Sequence, residues 1–196
     1  MKCPNSLTKK GFTLIEVMIS LALFSVVVLV CTAALLALIS VNKKAQAIQA
    51  VMNDLNVTID GMVRNIREGS VYNCGNVAAS VLDCPTGNTS LISFAPYGVS
   101  STDATKRWVY RFVPPTISST GYIERSKDGG ANYSRLTSPE VSVTSVTFYV
   151  VGTNNTDNDQ PRILIVIKGS AGNAYDAKIS TQFHVEASAT QRQLDL

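Results

Sequence analysis

The most constraining feature of this chain is an apolar run of thirty residues, 12–41, that contains a single charged side chain. Between Phe12 and Asn42 only Glu16 carries a charge at neutral pH. As a helix the run would span about 45 Å, which exceeds the roughly 30 Å hydrocarbon core of a bilayer. An ionised carboxylate in hydrocarbon costs several kcal/mol. The sequence therefore predicts a spanning helix in which Glu16 has a specific partner.

The charge balance separates the N-terminus from the rest of the chain. The chain has 196 residues and a formal net charge of +3, from 17 basic and 14 acidic side chains. Three of the lysines, Lys2, Lys9 and Lys10, lie in residues 1–11, which contain no acid, so the remaining chain holds 14 side chains of each sign. This balance does not favour nucleic-acid binding by the body of the chain.

An amphipathic pattern follows the apolar run. Apolar side chains recur at spacings of mostly three and four residues, as on one stripe of a helix. They are Ile48, Val51, Met52, Leu55, Ile59, Met62, Val63 and Ile66. Because no proline interrupts residues 5–84, we predict one continuous helix from about Phe12 to Glu68, with Gly69 as its stop. The second half of this helix needs a surface to pack on.

The C-terminal part of the chain has the composition of β-strands. Residues 70–90 are loop-like, and later segments are rich in Val, Ile, Thr, Tyr and Phe. The predicted strands are Leu91–Ala95, Arg107–Val113, Gly121–Arg125, Val141–Val151, Ile163–Lys168 and Tyr175–Val185. A change of phase near Thr144–Ser145 predicts a bulge. The predicted fold class is α+β, with a long N-terminal helix packed on an antiparallel sheet.

The four cysteines include one pair with the spacing of a loop-closing bond. Cys74 and Cys84 lie in a segment rich in Gly, Asn, Ser and Pro, with nine residues between them. If this region is extracytoplasmic, a disulfide here stabilises by roughly 2.5–3 kcal/mol on the chain-entropy model. The alternative is two unpaired thiols. His184 is the only histidine, so a zinc site is not favoured.

Three ordinary interpretations of the N-terminal segment each leave something unexplained. A cleaved secretory signal has an apolar core of about 7–15 residues, half the length found here. A lipoprotein signal needs a small residue before its cysteine, but Val30 precedes Cys31. A single-pass membrane anchor fits the length and leaves Glu16 without a role.

At its N-terminus the chain resembles the type IV prepilin family, which includes type IV pilins, type II secretion pseudopilins and competence pseudopilins. The motif of that family is a short basic leader ending in Gly, then Phe-Thr-Leu-(Ile/Leu)-Glu-(Val/Leu), then an apolar helix. This chain matches it at all seven positions from Gly11 to Val17. The resemblance strictly covers residues 8–41. The chain lacks the mid-helix proline of many pilins and has Ala33 and Ala34 in that region.

The resemblance implies a processing site and an assembly contact. A membrane aspartyl prepilin peptidase would cut between Gly11 and Phe12 and N-methylate Phe12, while Lys9 and Lys10 hold the leader in the cytoplasm. In a filament, the new ammonium of Phe12 would pair with Glu16 of a neighbouring subunit, so that each buried charge has a partner. The alternative is a Glu16 that reaches the membrane interface or is protonated.

The resemblance also implies an organisation and a set of partners. Residues 1–11 form a cleaved leader, 12–41 a transmembrane or filament-core helix, 42–68 an amphipathic helix, 69–186 an extracytoplasmic head and 187–196 a polar tail. The expected location is the bacterial inner membrane and then a pilus or pseudopilus. The expected partners are other pilin subunits, the prepilin peptidase, the inner-membrane assembly platform and membrane lipid.

The late strands refine this interpretation. Residues 136–167 look like the C-terminal sheet of J-type minor pseudopilins and W-type minor pilins, which indicates a minor subunit. The alternatives are a competence pseudopilin for DNA uptake and a monomeric, membrane-anchored adhesin or sensor domain.

Two further patterns are weak candidates for binding sites. Residues 106–111 mix basic and aromatic side chains, as nucleic-acid surfaces do. On a strand, however, Trp108 and Tyr110 face one side and Arg107 and Arg111 the other, which predicts aromatics in the core and arginines in solvent. Nucleic acid is therefore not an expected partner.

The second weak pattern is a set of oxygen ligands for calcium. These ligands are Asn154, Asp157 and Asp159, without the spacing of an EF-hand, so a solvated hairpin loop is preferred. No phosphate loop or nucleophile motif is present in the sequence, so we expect neither an enzyme nor a cofactor.

Overall fold

The computed structural model describes residues 11–154, 159–171 and 181–192. The chain divides into two units, Met1–Lys43 and Lys44–Leu196. One helix, α1, runs Leu14–Glu68, which confirms the predicted continuous helix to within two residues at its start. In the first unit, every residue from 11 to 43 is exposed.

The second unit contains the end of α1 and two antiparallel sheets. Its described strands are β1 Ser70–Cys74, β2 Cys84–Thr89, β3 Leu91–Ala95, β4 Trp108–Val113, β5 Tyr122–Ser126, β6 Ser134–Arg135, β7 Val141–Val151, β8 Arg162–Ala171 and β9 Thr181–Thr190. The first sheet has the order β1-β3-β4-β5-β6 and the second the order β2-β7-β8-β9. The predicted α+β class is confirmed, with two sheets where the sequence predicted one.

The strands that the sequence missed are short or have an unusual composition for strands. Residues 70–90 were predicted to be a loop because they are rich in Gly, Asn and Pro, yet β1 and β2 lie there. Each finds a partner across the fold: β1 pairs with β3, and β2 pairs with β7. Tertiary pairing therefore overrides the weak local β-propensity.

The second sheet confirms one prediction and corrects another. The predicted bulge in β7 is present, because the register against β8 shifts between Val143 and Ser145. In contrast, β9 continues to Thr190, which pairs with Arg162, and Ala189 is buried. The predicted start of a polar tail at residue 187 is therefore too early. The first part of the predicted strand Tyr175–Val185, before Thr181, lies outside the described residues.

The buried stripe of α1 forms one core with both sheets. The buried helix residues are Val51, Leu55, Thr58, Ile59, Met62 and Ile66. All of them except Thr58 belong to the same hydrophobic cluster as Phe94 and Tyr110 of the first sheet and Phe148 and Ile165 of the second. The predicted apolar stripe therefore packs on the sheets, except that Met52 lies at its margin and is 41% exposed.

The C-terminal end of α1 is fastened by groups from the head. The Tyr72 hydroxyl lies 2.6 Å from the Ile66 carbonyl and 2.7 Å from that of Gly69, and it can donate to one of them at a time. The Arg192 amide donates to the Arg67 carbonyl at 2.8 Å. These contacts satisfy carbonyls that a helix end leaves without partners.

Candidate functional site

The predicted cleavage junction lies immediately before α1. Gly11, Phe12 and Thr13 precede the helix, Phe12 is 82% exposed, and open space surrounds Gly11. Lys9 and Lys10 of the leader lie outside the described residues. The junction is therefore accessible from Gly11 onward, as a protease substrate must be.

Thr13 and Glu16 start the helix together. The Glu16 amide donates to the Thr13 carbonyl at 3.1 Å and lies 3.4 Å from the Thr13 hydroxyl oxygen. The Thr-x-x-Glu spacing is that of a capping box, and an acidic residue in the first turn is favourable beside the helix dipole. We did not predict the role of Thr13 from the sequence, although the spacing was a readable signal. Glu16 thus has a local role besides the predicted pairing.

In the described part of the first unit, hydroxyl groups on α1 bond to the backbone of their own helix. α1 is long and apolar enough to cross a membrane. The hydroxyls of Ser20, Ser25, Thr32 and Ser40 each donate to a carbonyl one turn earlier in the helix. This is what an apolar environment requires of a helix. The Glu16 carboxylate is the exception, since no described residue pairs with it.

In the head, a disulfide links the two sheets. It joins Cys74 at the end of β1 to Cys84 at the start of β2, with the Cα atoms 6.0 Å apart. Residues 75–83 between them lie along β1, where the Leu82 amide donates to the Tyr72 carbonyl at 3.0 Å. They also reach β3, because the Ser93 hydroxyl donates to the Asn76 carbonyl at 2.8 Å. We call residues 75–83 the cover loop.

Asp83 fastens the end of the cover loop to the second sheet. Its carboxylate accepts hydrogen bonds from the Thr153 amide at 3.1 Å and the Thr153 hydroxyl at 2.6 Å. Thr153 follows β7 and is itself buried. Cys84 and Asp83 therefore hold the same end of the loop by a covalent bond and a charged hydrogen bond.

The cover loop lies on the face of the first sheet that the sequence predicted to be in solvent. Arg107 is 0% exposed, so its predicted solvent position is wrong. Its Nη2 donates to the carbonyls of Val71 and Ser93. Its Nε and Nη1 have no hydrogen-bond partner within the described part of the chain. Burial lowers the pKa of this guanidinium.

The Arg111 side chain is 42% exposed and pairs with the carboxylate of Glu124, so it follows the prediction of a solvated arginine only in part. The aromatic residues of β4 mostly follow the prediction. Tyr110 is buried, and its hydroxyl accepts a hydrogen bond from the Asn65 amide group of α1 at 2.9 Å. Burial raises the pKa of Tyr110. Trp108 is half-buried, with Arg125 and Lys127 over its ring.

The weaker candidates remain without support as sites. Asn154 and Asp159 each interact with another group, and Asp157 lies outside the described residues. No group of three His, Cys, Asp or Glu side chains suited to a metal occurs among the residues that the structure describes. His184 is exposed, and its ring lies 3.4 Å from the Glu186 carboxylate.

Comparison with known protein families supports the N-terminal prediction. A family model described as the prokaryotic N-terminal methylation motif matches residues 7–32, a range that includes Gly11, Phe12 and Glu16. Neither the curated proteins nor the solved structures contain a match to this chain. This motif is the one that type IV pilin-like and pseudopilin-like precursors carry, and it implies processing by a prepilin peptidase. It points to a structural subunit rather than an enzyme, and the single N-terminal apolar helix fits a single-pass inner-membrane protein.

Proposed function

We propose that this chain is a structural subunit of a type IV pilus or a type II secretion pseudopilus. It is stored in the inner membrane, processed by prepilin peptidase and assembled through α1. The observation that carries the proposal is a carboxylate, Glu16, in the first turn of an exposed apolar helix and inside a methylation motif. The head is extracytoplasmic, where a Cys74–Cys84 disulfide is stable.

The first step is removal of the leader. The peptidase cuts between Gly11 and Phe12 and methylates the new amine of Phe12. Gly11 suits this step, because a residue without a side chain lets the backbone enter a tight cleft. Lys9 and Lys10 keep the leader on the cytoplasmic side of the membrane.

The second step is pairing between subunits. Cleavage places an ammonium on Phe12, four residues before Glu16. Within one chain, both groups lie at the start of the same helix. A neighbouring chain, in contrast, can bring its ammonium directly to Glu16. In an apolar filament core an unpaired charge raises the free energy, and only one axial register brings the ammonium next to Glu16. The ion pair therefore favours that register.

Within such a filament, we assign this chain to the minor subunits of the J or W type. The two-sheet head and its long connections support this assignment, since compact major pseudopilins carry less β-structure. Minor subunits of this kind would meet other pilin subunits at a tip or priming complex, next to the inner-membrane assembly platform.

Co-expression with a prepilin peptidase tests the proposal. Mass spectrometry should find the loss of residues 1–11 and the gain of one methyl group on Phe12. A Gly11→Val variant should keep its leader, because the added side chain obstructs the cleft. An intact N-terminus in the parent chain would contradict the proposal and favour a monomeric anchored adhesin or sensor. Processing followed by DNA-dependent assembly would favour the competence alternative.

A further inference from the structure

The first unit of α1 contains a long stretch that is bounded by two charges. Glu16 and Lys43 are these charges, and no residue from 17 to 42 has a charged side chain. Both lie in the first unit, on the unbroken helix, and both are exposed. Twenty-seven steps along the helix, at about 1.5 Å each, place their Cα atoms about 40 Å apart. We call residues 17–42 the uncharged segment.

The distance between the two charges exceeds the thickness of the hydrocarbon in a bilayer. The hydrocarbon core is about 30 Å thick, and the headgroup layers bring the total to about 40–45 Å. A tilt of about 20°, which is average for spanning helices, reduces the span along the membrane normal only to about 38 Å. Glu16 and Lys43 can therefore both lie outside the hydrocarbon at the same time, each within a headgroup layer.

The polar side chains of the first unit are distributed in agreement with this length. Within the uncharged segment, the hydroxyls donate to carbonyls of their own helix and do not need water; they belong to Ser20, Ser25, Thr32 and Ser40. In contrast, none of the salt bridges in the described ranges involves Glu16 or Lys43. An ionised group without a partner is costly in hydrocarbon, and long side chains near helix ends therefore extend to the interface. The uncharged segment thus suits lipid, and its two bounding charges suit the headgroup layers.

We propose that, in the membrane-stored chain, both ends of the uncharged segment contact lipid headgroups. Lys43 lies in the extracytoplasmic headgroup layer, where its long side chain brings the ammonium to lipid phosphates. Glu16 lies in the cytoplasmic headgroup layer, where its carboxylate stays hydrated. The inference rests on the proposed function, because a single-pass orientation with a cytoplasmic N-terminus decides which charge meets which layer.

This placement determines when Glu16 needs an ion pair. In the stored chain, water and headgroups surround the carboxylate, so it needs no partner inside the membrane. In the filament the same carboxylate enters an apolar core, and the Phe12 ammonium of a neighbour then becomes necessary. Gly11, five residues before Glu16, lies on the aqueous side of the hydrocarbon, where a peptidase can reach it.

Thiol labelling from the cytoplasmic side measures the position of Glu16. Full-length chains carry Cys3→Ser and Cys31→Ala together with either Ile15→Cys or Ala22→Cys. These two positions are seven residues apart on one face of the helix, so Ala22 lies about 10 Å deeper in the membrane. In inverted membrane vesicles without prepilin peptidase, a membrane-impermeant maleimide should label Ile15→Cys at least about tenfold faster than Ala22→Cys. Equal rates for the two thiols would overturn the proposal.

Labelling from the opposite side measures the position of Lys43. The matched pair is Asn42→Cys, next to Lys43, and Leu35→Cys, which is seven residues earlier on the same helix face and about 10 Å deeper. In vesicles with the extracytoplasmic side outward, the maleimide should label Asn42→Cys at least about tenfold faster than Leu35→Cys. If the two thiols react at equal rates, Lys43 does not lie in the headgroup layer and the proposal is wrong.

Labelling of assembled filaments tests the transfer of Glu16 into an apolar core. In sheared filaments, Ile15→Cys should lose its reactivity and become as protected as Ala22→Cys. An Ile15→Cys thiol that reacts as fast in filaments as in vesicles would show that the surroundings of Glu16 do not change on assembly.

The outcomes separate this placement from the proposed function. A chain with Cys31→Ala and native Cys3 reports orientation, and its Cys3 should be labelled from the cytoplasmic side alone. If Cys3 is labelled from the other side, or if prepilin peptidase does not cut after Gly11, the proposed function fails and the placement fails with it. If orientation and cleavage are as expected and either matched pair of thiols reacts at equal rates, the placement alone fails.

Discussion

At the scale of single residues, Arg107 stands out because a cation is buried without a described carboxylate beside it. Its Nη2 donates hydrogen bonds to the carbonyls of Val71 and Ser93. Val71 has φ 51°, a backbone conformation that is strained for a β-branched residue, and it lies where the β1–β3 register shifts. Arg107 therefore offsets part of its desolvation cost by stabilising an irregular strand.

Replacing Arg107 with Met should lower the free energy of unfolding by about 1–3 kcal/mol, because two buried carbonyls lose their donor. Urea unfolding of the detergent-solubilised chain measures this effect. Lys106→Met is the matched control, since Lys106 is the exposed neighbour and should change stability by no more than about 0.5 kcal/mol. If Arg107→Met and Lys106→Met lower the free energy of unfolding equally, Arg107 does not stabilise β1.

Asp128 organises the turn between β5 and β6. Its carboxylate accepts hydrogen bonds from the Ser126 hydroxyl and from the amide and side chain of Asn132. The hydrogen bond from Ser126, then those from Asn132, lower the pKa of Asp128 from 3.8 to about 2. A carboxylate with a lowered pKa stabilises the fold above pH 3.8, and this contribution is lost as the pH falls towards 2.

Asp128→Asn should therefore lower the melting temperature at pH 7 and flatten its decline between about pH 4 and pH 2. Thermal melts across this range measure both effects. Glu140→Gln, a change at an exposed carboxylate, should leave the shape of the pH profile unaltered. If the melting temperatures of Asp128→Asn and the parent chain decline in parallel as the pH falls, Asp128 does not have this role.

At the scale of elements, the cover loop and its disulfide connect the two sheets to each other, in addition to the packing of both sheets on α1. The Cys74–Cys84 bond joins the first sheet to the second, and Asp83 adds a second tie to the residue after Gly152. Beneath the loop lies the face of the first sheet that contains Arg107 and Val109, both fully buried. The loop therefore completes a second, smaller buried layer.

Reducing the disulfide, or replacing both cysteines with serine, should destabilise the head by roughly 2.5–3 kcal/mol. The amides of residues 75–83 should then exchange with deuterium faster than those of β7 and β8, because the core beneath α1 does not depend on the loop. Hydrogen exchange with and without reductant measures this order. Adding reductant to the double serine variant is the control and should change nothing. If the amides of β7 and β8 exchange as fast as those of residues 75–83, this prediction is contradicted.

At the scale of the whole molecule, Glu16 has two roles that different variants can separate. Its backbone amide donates to Thr13 and its carboxylate lies in the first turn of the helix, and we propose that this carboxylate pairs with the Phe12 ammonium of a neighbour. A glutamine keeps the backbone hydrogen bond to Thr13 and nearly the same side-chain shape. Only the charge distinguishes the two residues.

Glu16→Gln should therefore be cleaved between Gly11 and Phe12 normally and remain in the membrane, yet assemble as poorly as Glu16→Ala. Sedimentation of sheared filaments, together with mass spectrometry of the processed chain, measures assembly and cleavage separately. Thr13→Val is the control that weakens the cap and keeps the charge. Normal assembly of Glu16→Gln would show that the filament does not need the negative charge at this position.

The features that the sequence predicted well are those specified by neighbouring residues. The continuous helix to Glu68, its buried stripe and the bulge near Ser145 follow from periodicity along one segment. The match of residues 7–32 to the methylation motif is likewise a local feature, because it depends on one short stretch of chain.

The features that the sequence did not predict depend on distant parts of the chain. β1 and β2 form because β3 and β7 offer free edges, although their own composition is that of loops. The burial of Arg107 was unpredictable for the same reason: alternation on the predicted strand assigns it to the outer face, but the tertiary positions of Val71, Ser93 and Gly129 place it in the interior. By itself the sequence determined the helix, the methylation motif and the α+β class, since short-range physics suffices for them. The tertiary structure decided the division into two sheets and the second buried layer, since these depend on which surfaces meet.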